Sequence, residues 1–138
     1  MTEEAIAYVK KVFGDRKEND ELYINHMLRV ADRMDTEVEK TVALLHDVLE
    51  DTELMPYDLK EAGFPADVVE MVTQLTRKND FTYFEYIEDV ATNPVCKKVK
   101  LAELDDNEDV VRVNKLSFRT FSLSDRCEKA RAILNSVC

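Results

Sequence analysis

Apolar residues recur at intervals of three and four along almost the whole chain. That period constrains the fold more than any other feature, because it gives each of a series of helices one apolar stripe to bury. Ile6, Val9 and Phe13 form such a stripe over Thr2 to Phe13. The polar run GDRKEND, Gly14 to Asp20, interrupts it and reads as a loop. Leu22, Tyr23, Met27, Val30 and Met34 form a second stripe over Glu21 to Met34. A third helix is predicted from about Thr36 to Leu49, with Val38, Val42, Leu45 and Leu49 inward. Its segment VALLHDVL is so apolar that it belongs at the centre of the core. Pro56 opens a short helix that Gly63 ends, and Pro65 takes the favoured first-turn position of one running from about Ala66 to Leu75. Further helices are predicted from about Asp80 to Ala91 and from Pro94 to roughly Asp106. A last one, beginning at Lys115 or Ser124, runs through Cys127, Ala130 and Leu134 to Asn135. With 2 glycines and 3 prolines in 138 residues, the chain lacks the turn formers of an all-β protein. The expected fold class is all-α, a compact helical bundle forming a single domain over residues 1–138.

Charge and composition narrow the function. Nineteen basic against 29 acidic side chains leave a net charge of −10. Attraction to nucleic acid or anionic lipid depends on neutralising phosphates with Lys and Arg, so neither is an expected partner. No run of about 18 apolar residues exists to cross a bilayer. The N-terminus MTEEAIAYVKK lacks the basic start and apolar stretch of a signal peptide. Cys96, Cys127 and Cys138 are odd in number and far apart, which fits a reducing compartment and a cytoplasmic location.

The two histidines, His26 and His46, stand where chemistry is most exposed to notice. His46 is followed by Asp47, Glu50 and Asp51 within the most apolar stretch. On a continuous helix His46 would share a face with Glu50, and Asp47 with Asp51. An imidazole and three carboxylates beside Leu and Val are expensive to desolvate unless paired or bound to metal. The other reading ends the helix near Leu49, with Glu50 and Asp51 solvated and His46 bonded to a neighbour. His26 lies in LYINHMLRVADRM on the preceding helix, where a histidine can equally be a satisfied core residue. A short connection lets the two helices pack as an antiparallel pair, and two imidazoles with a carboxylate form a mixed N/O set suited to manganese, iron or zinc. In VKLAELDDNED, Glu103 and Asn107 are four apart and share a face, with Asp106 one step away. This segment reads either as an exposed acidic helix end or as the source of a last metal ligand. It is not an EF-hand, because Val110 and Leu116 stand where that loop needs glycine and glutamate.

Taken in order, these motifs resemble the HD-domain phosphohydrolases, and more narrowly the hydrolase domain of the Rel/SpoT-type alarmone enzymes and their small stand-alone relatives. YINHMLRVA is similar to that group's first histidine helix, and ALLHDVLEDT to its His-Asp segment almost letter for letter. GFPADVVEMVTQLTRK and YFEYIEDVATNPVCKKVKLAELDDN resemble the stretches that follow, so that the likeness runs from about Arg16 to Asn107. The resemblance implies a helical HD-type bundle with His26, His46, Asp47 and Glu103 as ligands of a divalent metal, usually manganese. It implies Glu50 and Asp51 as the catalytic pair that activates water and shuttles protons. Arg16, Lys17, Tyr23 and Asn107 are implied to meet the substrate.

The implied activity is metal-dependent hydrolysis of a small nucleotide, foremost release of pyrophosphate from the 3′ position of guanosine 3′,5′-bis(diphosphate). Alternatives are an HD hydrolase of another nucleotide or phosphate monoester, and a degenerate HD module that binds a nucleotide without hydrolysis. Since 138 residues leave no room for a synthetase beside the hydrolase, an alarmone role would be degradative. The chain departs from the family in three places. Glu103 stands where the family has aspartate, which leaves Asp106 as a possible substitute ligand. Glu108, Asp109 and Val110 replace a Met-Arg-Thr-like stretch. The basic loop has one extra residue between Lys17 and Tyr23 and lacks the His-x-Gly-Gln-like lead.

Overall fold

The computed structural model describes residues 1–18, 21–78, 80–113 and 128–135. Eight helices can be numbered: α1 (Thr2–Phe13), α2 (Tyr23–Asp32), α3 (Glu37–Leu45), α4 (Val48–Asp51), α5 (Pro56–Glu61), α6 (Ala66–Leu75), α7 (Tyr83–Val90) and α8 (Pro94–Val113). Residues 128–135 are also helical, as the tail pattern predicts, whereas 114–127 lie outside the described residues. The all-α class stands, with one small addition. Lys17–Glu18 (β1) and Glu21–Leu22 (β2) pair antiparallel, Lys17 opposite Leu22 and Glu18 opposite Glu21. The predicted loop therefore includes a short strand, β1, and α2 begins at Tyr23 rather than Glu21. Two-residue strands are too short to show an alternating pattern, so only the structure reveals them.

Local signals explain most boundaries. Thr36 caps α3 by accepting from the Glu39 N–H at 3.1 Å while Glu39 reaches back to the Thr36 N–H, and Thr82 with Glu85 does the same for α7. Gly63, at φ 99°, follows α5 in a conformation that side chains resist. Pro65 is the cap of α6 rather than its first helical residue; its ψ of 151° keeps it extended.

The central helix is α3. Thr41, Val42, Ala43, Leu44, Leu45 and His46 are all buried in succession, a helix apolar on every side because α1, α2, α6 and α8 surround it. Its most extensive neighbour is α2, whose inner face is Ile24, Met27, Val30 and Ala31. Phe13 and Tyr23 pack ring to ring, 4.8 Å apart, and join α1 to α2. The buried apolar residues form one connected core that includes Ala130 and Leu134 of the tail segment. No helix among the described residues is long and apolar enough to cross a membrane.

One prediction fails, and its failure matters. The helix expected to continue to Leu49 stops at Leu45 and resumes at Val48, so His46 and Asp47 occupy a turn between α3 and α4. Asp47 has φ −99° and ψ −4°, in the sparsely used bridge region where active-site residues often sit. His46 and Glu50 thus no longer sit on one continuous helix, whereas Asp47 and Asp51 keep a helical relation through the Asp51 N–H bond to the Asp47 carbonyl at 3.0 Å. Apolar patterning cannot signal this break, since VALLHDVL suits an unbroken helix.

Candidate metal centre

Three separate elements deliver one cluster. Donor atoms of His26 on α2, His46 and Asp47 in the α3–α4 turn, and Glu103 on α8 all lie within 4.8 Å of one another. The imidazoles face each other at 65° with centroids 5.4 Å apart. His46 Nε2 stands 3.2 Å from Asp47 Oδ2 and 3.8 Å from Glu103 Oε2, and His26 Nε2 stands 3.8 Å from the same Asp47 oxygen.

The far side of each ring decides which nitrogen is available. His46 Nδ1–H donates to the Ala43 carbonyl, and His26 Nδ1–H donates to Asp106 Oδ2 at 2.6 Å. Both Nε2 atoms are thereby aimed inward, the arrangement in which outer hydrogen bonds set the tautomer of metal-binding histidines. His46 Nε2 is buried and makes no hydrogen bond. A buried nitrogen beside two carboxylates requires a cation, either a proton or a metal. Burial lowers the basicity of His46, but Asp47 and Glu103 outweigh it and raise its pKa to about 9. Burial likewise opposes ionisation of Asp47, yet the two imidazoles hold it down to about 2. Two imidazole nitrogens and two carboxylates thus make a donor set that fits a divalent first-row metal.

Around this set the structure adds groups that the sequence reading assigned differently or passed over. Asp106 is not a substitute ligand. It is buried, and besides His26 it accepts from Arg29 Nε at 2.6 Å, so against the effect of burial these hydrogen bonds hold its pKa well below the usual carboxylate range. Arg29 continues as a fork to Glu21, with contacts of 2.6 and 2.7 Å. The chain Glu21–Arg29–Asp106–His26 fixes the ring from outside, and its only local signal was Arg29 three residues after His26. Lys100 is buried too, with Nζ 3.0 Å from Glu103 Oε2 and 5.1 Å from the Tyr86 ring centroid. Despite desolvation, Glu103 keeps it charged. A lysine in that apolar, acidic surround holds the longer glutamate side chain in place.

The remaining predicted residues flank the cluster at different distances. Asp51 accepts a hydrogen bond from the Tyr23 hydroxyl. Arg16 lies 4.9 Å over the Tyr23 ring and reaches the Asp51 carbonyl at 3.4 Å, so these three form one group. Desolvation raises the pKa of Asp51. Glu50 is raised as well, by desolvation and by Asp47, Glu103 and Asp51, with Lys100 opposing. A carboxyl poised nearer neutrality suits proton transfer. Lys17 is exposed on β1, and Asn107 is half-buried on α8 one turn beyond Glu103. Among the described residues, the cluster of His26, His46, Asp47 and Glu103 includes neither.

No protein-family model and no curated protein matches the chain. Among solved structures, it is similar to a metazoan ortholog of SpoT that hydrolyses ppGpp, with a TM-score of 0.82 and 24% sequence identity. The match covers 99% of this chain and 86% of that one. The two proteins share a fold.

Proposed function

We propose that this chain is a metal-dependent phosphohydrolase of the HD type, a single domain over residues 1–138 acting in the cytoplasm on a small nucleotide. The favoured substrate is guanosine 3′,5′-bis(diphosphate), from which it releases pyrophosphate at the 3′ position. The observation that carries the reading is the buried, unbonded His46 Nε2 converging with His26, Asp47 and Glu103. The shared fold with a protein that hydrolyses ppGpp supports the choice of substrate.

In this reading His26, His46, Asp47 and Glu103 hold a divalent metal, manganese by preference. When bound, such an ion acidifies water and neutralises phosphoryl charge. Glu50 orients the attacking water and takes its proton. Asp51, gripped by Tyr23, passes a proton toward the leaving group. Arg16 and Lys17 offset phosphate charge, which an acidic protein must supply locally, and Asn107 contacts the nucleotide.

The test is pyrophosphate release from guanosine tetraphosphate by the manganese-loaded chain, beside Asp47→Ala. Turnover that disappears in the variant is the expected result. Equal turnover in metal-free protein overturns the reading. Lys100 bound to Glu103 favours one second reading, a nucleotide-binding module without hydrolysis, because an ammonium on that carboxylate competes with a metal. That module would be stabilised by nucleotide yet form no product. Turnover on other phosphate esters alone would mark a hydrolase of different substrate.

A further inference from the structure

A cleft of about 370 Å³ lies beside α4, lined by Leu49, Glu50, Thr76, Arg77 and Lys78. Its volume is in the range of small-ligand sites. One wall is Glu50, one turn beyond Asp47 on α4 and therefore on the side of the metal cluster. The lining also includes the end of α6, where Thr76 leaves the helix with ψ 120° and is followed by two successive cations.

Those cations differ from the carboxylate-paired ones. In a chain of net charge −10, several basic groups are spent on carboxylates: Arg29 on Glu21 and Asp106, Lys98 on Asp35 and Glu39, Lys100 on Glu103. Arg77 and Lys78 meet aromatic rings instead. The Arg77 guanidinium carbon is 5.8 Å from the Tyr83 centroid and Lys78 Nζ is 5.8 Å from that of Phe81. Among the described residues neither forms an ion pair. Ring stacking leaves a guanidinium's N–H edge open, and an open fork beside an exposed ammonium matches a phosphate. A group held here would lie beside Glu50, a carboxyl that Asp47 and Glu103 influence.

We infer that Arg77 and Lys78 form a second anion subsite, which holds the phosphate group of the substrate that is not being hydrolysed. This rests on the proposed phosphohydrolase reading for the identity of the ligand, but not for the existence of the subsite. For a guanosine 3′,5′-bis(diphosphate) with its 3′ group at the metal, the subsite takes the 5′-diphosphate.

The full chain, loaded with manganese, is titrated with GDP and with guanosine, alongside Arg77→Gln/Lys78→Gln. The double variant should bind GDP at least tenfold more weakly and guanosine unchanged, because GDP retains the 5′-diphosphate and guanosine does not. In the pyrophosphate-release assay its KM for guanosine tetraphosphate should rise about as much. Equal GDP affinity in both proteins, or no GDP binding to the parent chain, overturns the subsite. Weakened GDP binding with no turnover in either protein upholds the subsite and removes the hydrolase reading instead.

Discussion

At the scale of single residues, His46 carries the most consequential placement. Its Nδ1 is committed to a backbone carbonyl and its Nε2 to nothing, within reach of Asp47 and Glu103. In the metal-free chain its pKa rises from 6.5 to about 9, so protonation favours the fold. That contribution is complete below pH 6.5 and fades as pH climbs through 9. Urea unfolding of metal-free protein at pH 6 and pH 9.5 should show the loss, and His46→Gln should flatten it. A metal must displace the same proton, so metal affinity should rise with pH up to about 9, by as much as tenfold per unit, in a competition titration. Asp106 acts one bond further out. Asp106→Asn weakens the grip on His26 and leaves Arg29 with Glu21 alone, and metal affinity should fall roughly 10–100-fold in equilibrium dialysis. The candidate ligands were legible as residue types, because only two histidines exist and one adjoins an acidic run. Asp106 was legible only as another carboxylate. Its partner Arg29 lies 77 residues away, and no local pattern reports such a pairing.

At the scale of elements, α1 and α6 have the bounds that their periodicity predicts, Thr2–Phe13 and Ala66–Leu75. Both end at local signals, a glycine after one and a proline before the other, and local signals are what a linear reading can use. The capping box of α3 belongs to the same class. Thr36→Ala removes one of its two hydrogen bonds and should lower unfolding free energy by about 1 kcal/mol, with metal stoichiometry unchanged. The break between α3 and α4 is of the other kind. Nothing in VALLHDVLED opposes helix, yet a continuous helix would project His46 and Asp47 about 100° apart around its axis. The turn instead brings Nε2 and the carboxylate within 3.2 Å, facing α2 and α8. Tertiary demand therefore overrides local propensity at the two residues where the chemistry is proposed.

At the scale of the whole molecule, the four donors come from positions 26, 46, 47 and 103, on elements that touch only once the core has formed. A metal bound there ties α2, the α3–α4 turn and α8 together and cannot bind the unfolded chain equally well. Manganese should raise the Tm with concentration, by an amount equivalent to about 2.7 kcal/mol at a hundredfold excess over Kd, and His26→Ala should abolish the shift in thermal melts. The sequence by itself determined the helical class, the apolar segment 42–49 at the core, the acidic surface and the inventory of imidazoles and carboxylates, because periodicity, composition and charge are properties of neighbours along the chain. Only the tertiary structure decided which nitrogen of each ring faces inward, that Asp106 supports a ring while Glu103 joins the cluster, that the helix breaks at His46, and that Arg77 and Lys78 border the cleft. Those outcomes depend on distances between groups far apart in the chain, and packing around α3 is what sets them.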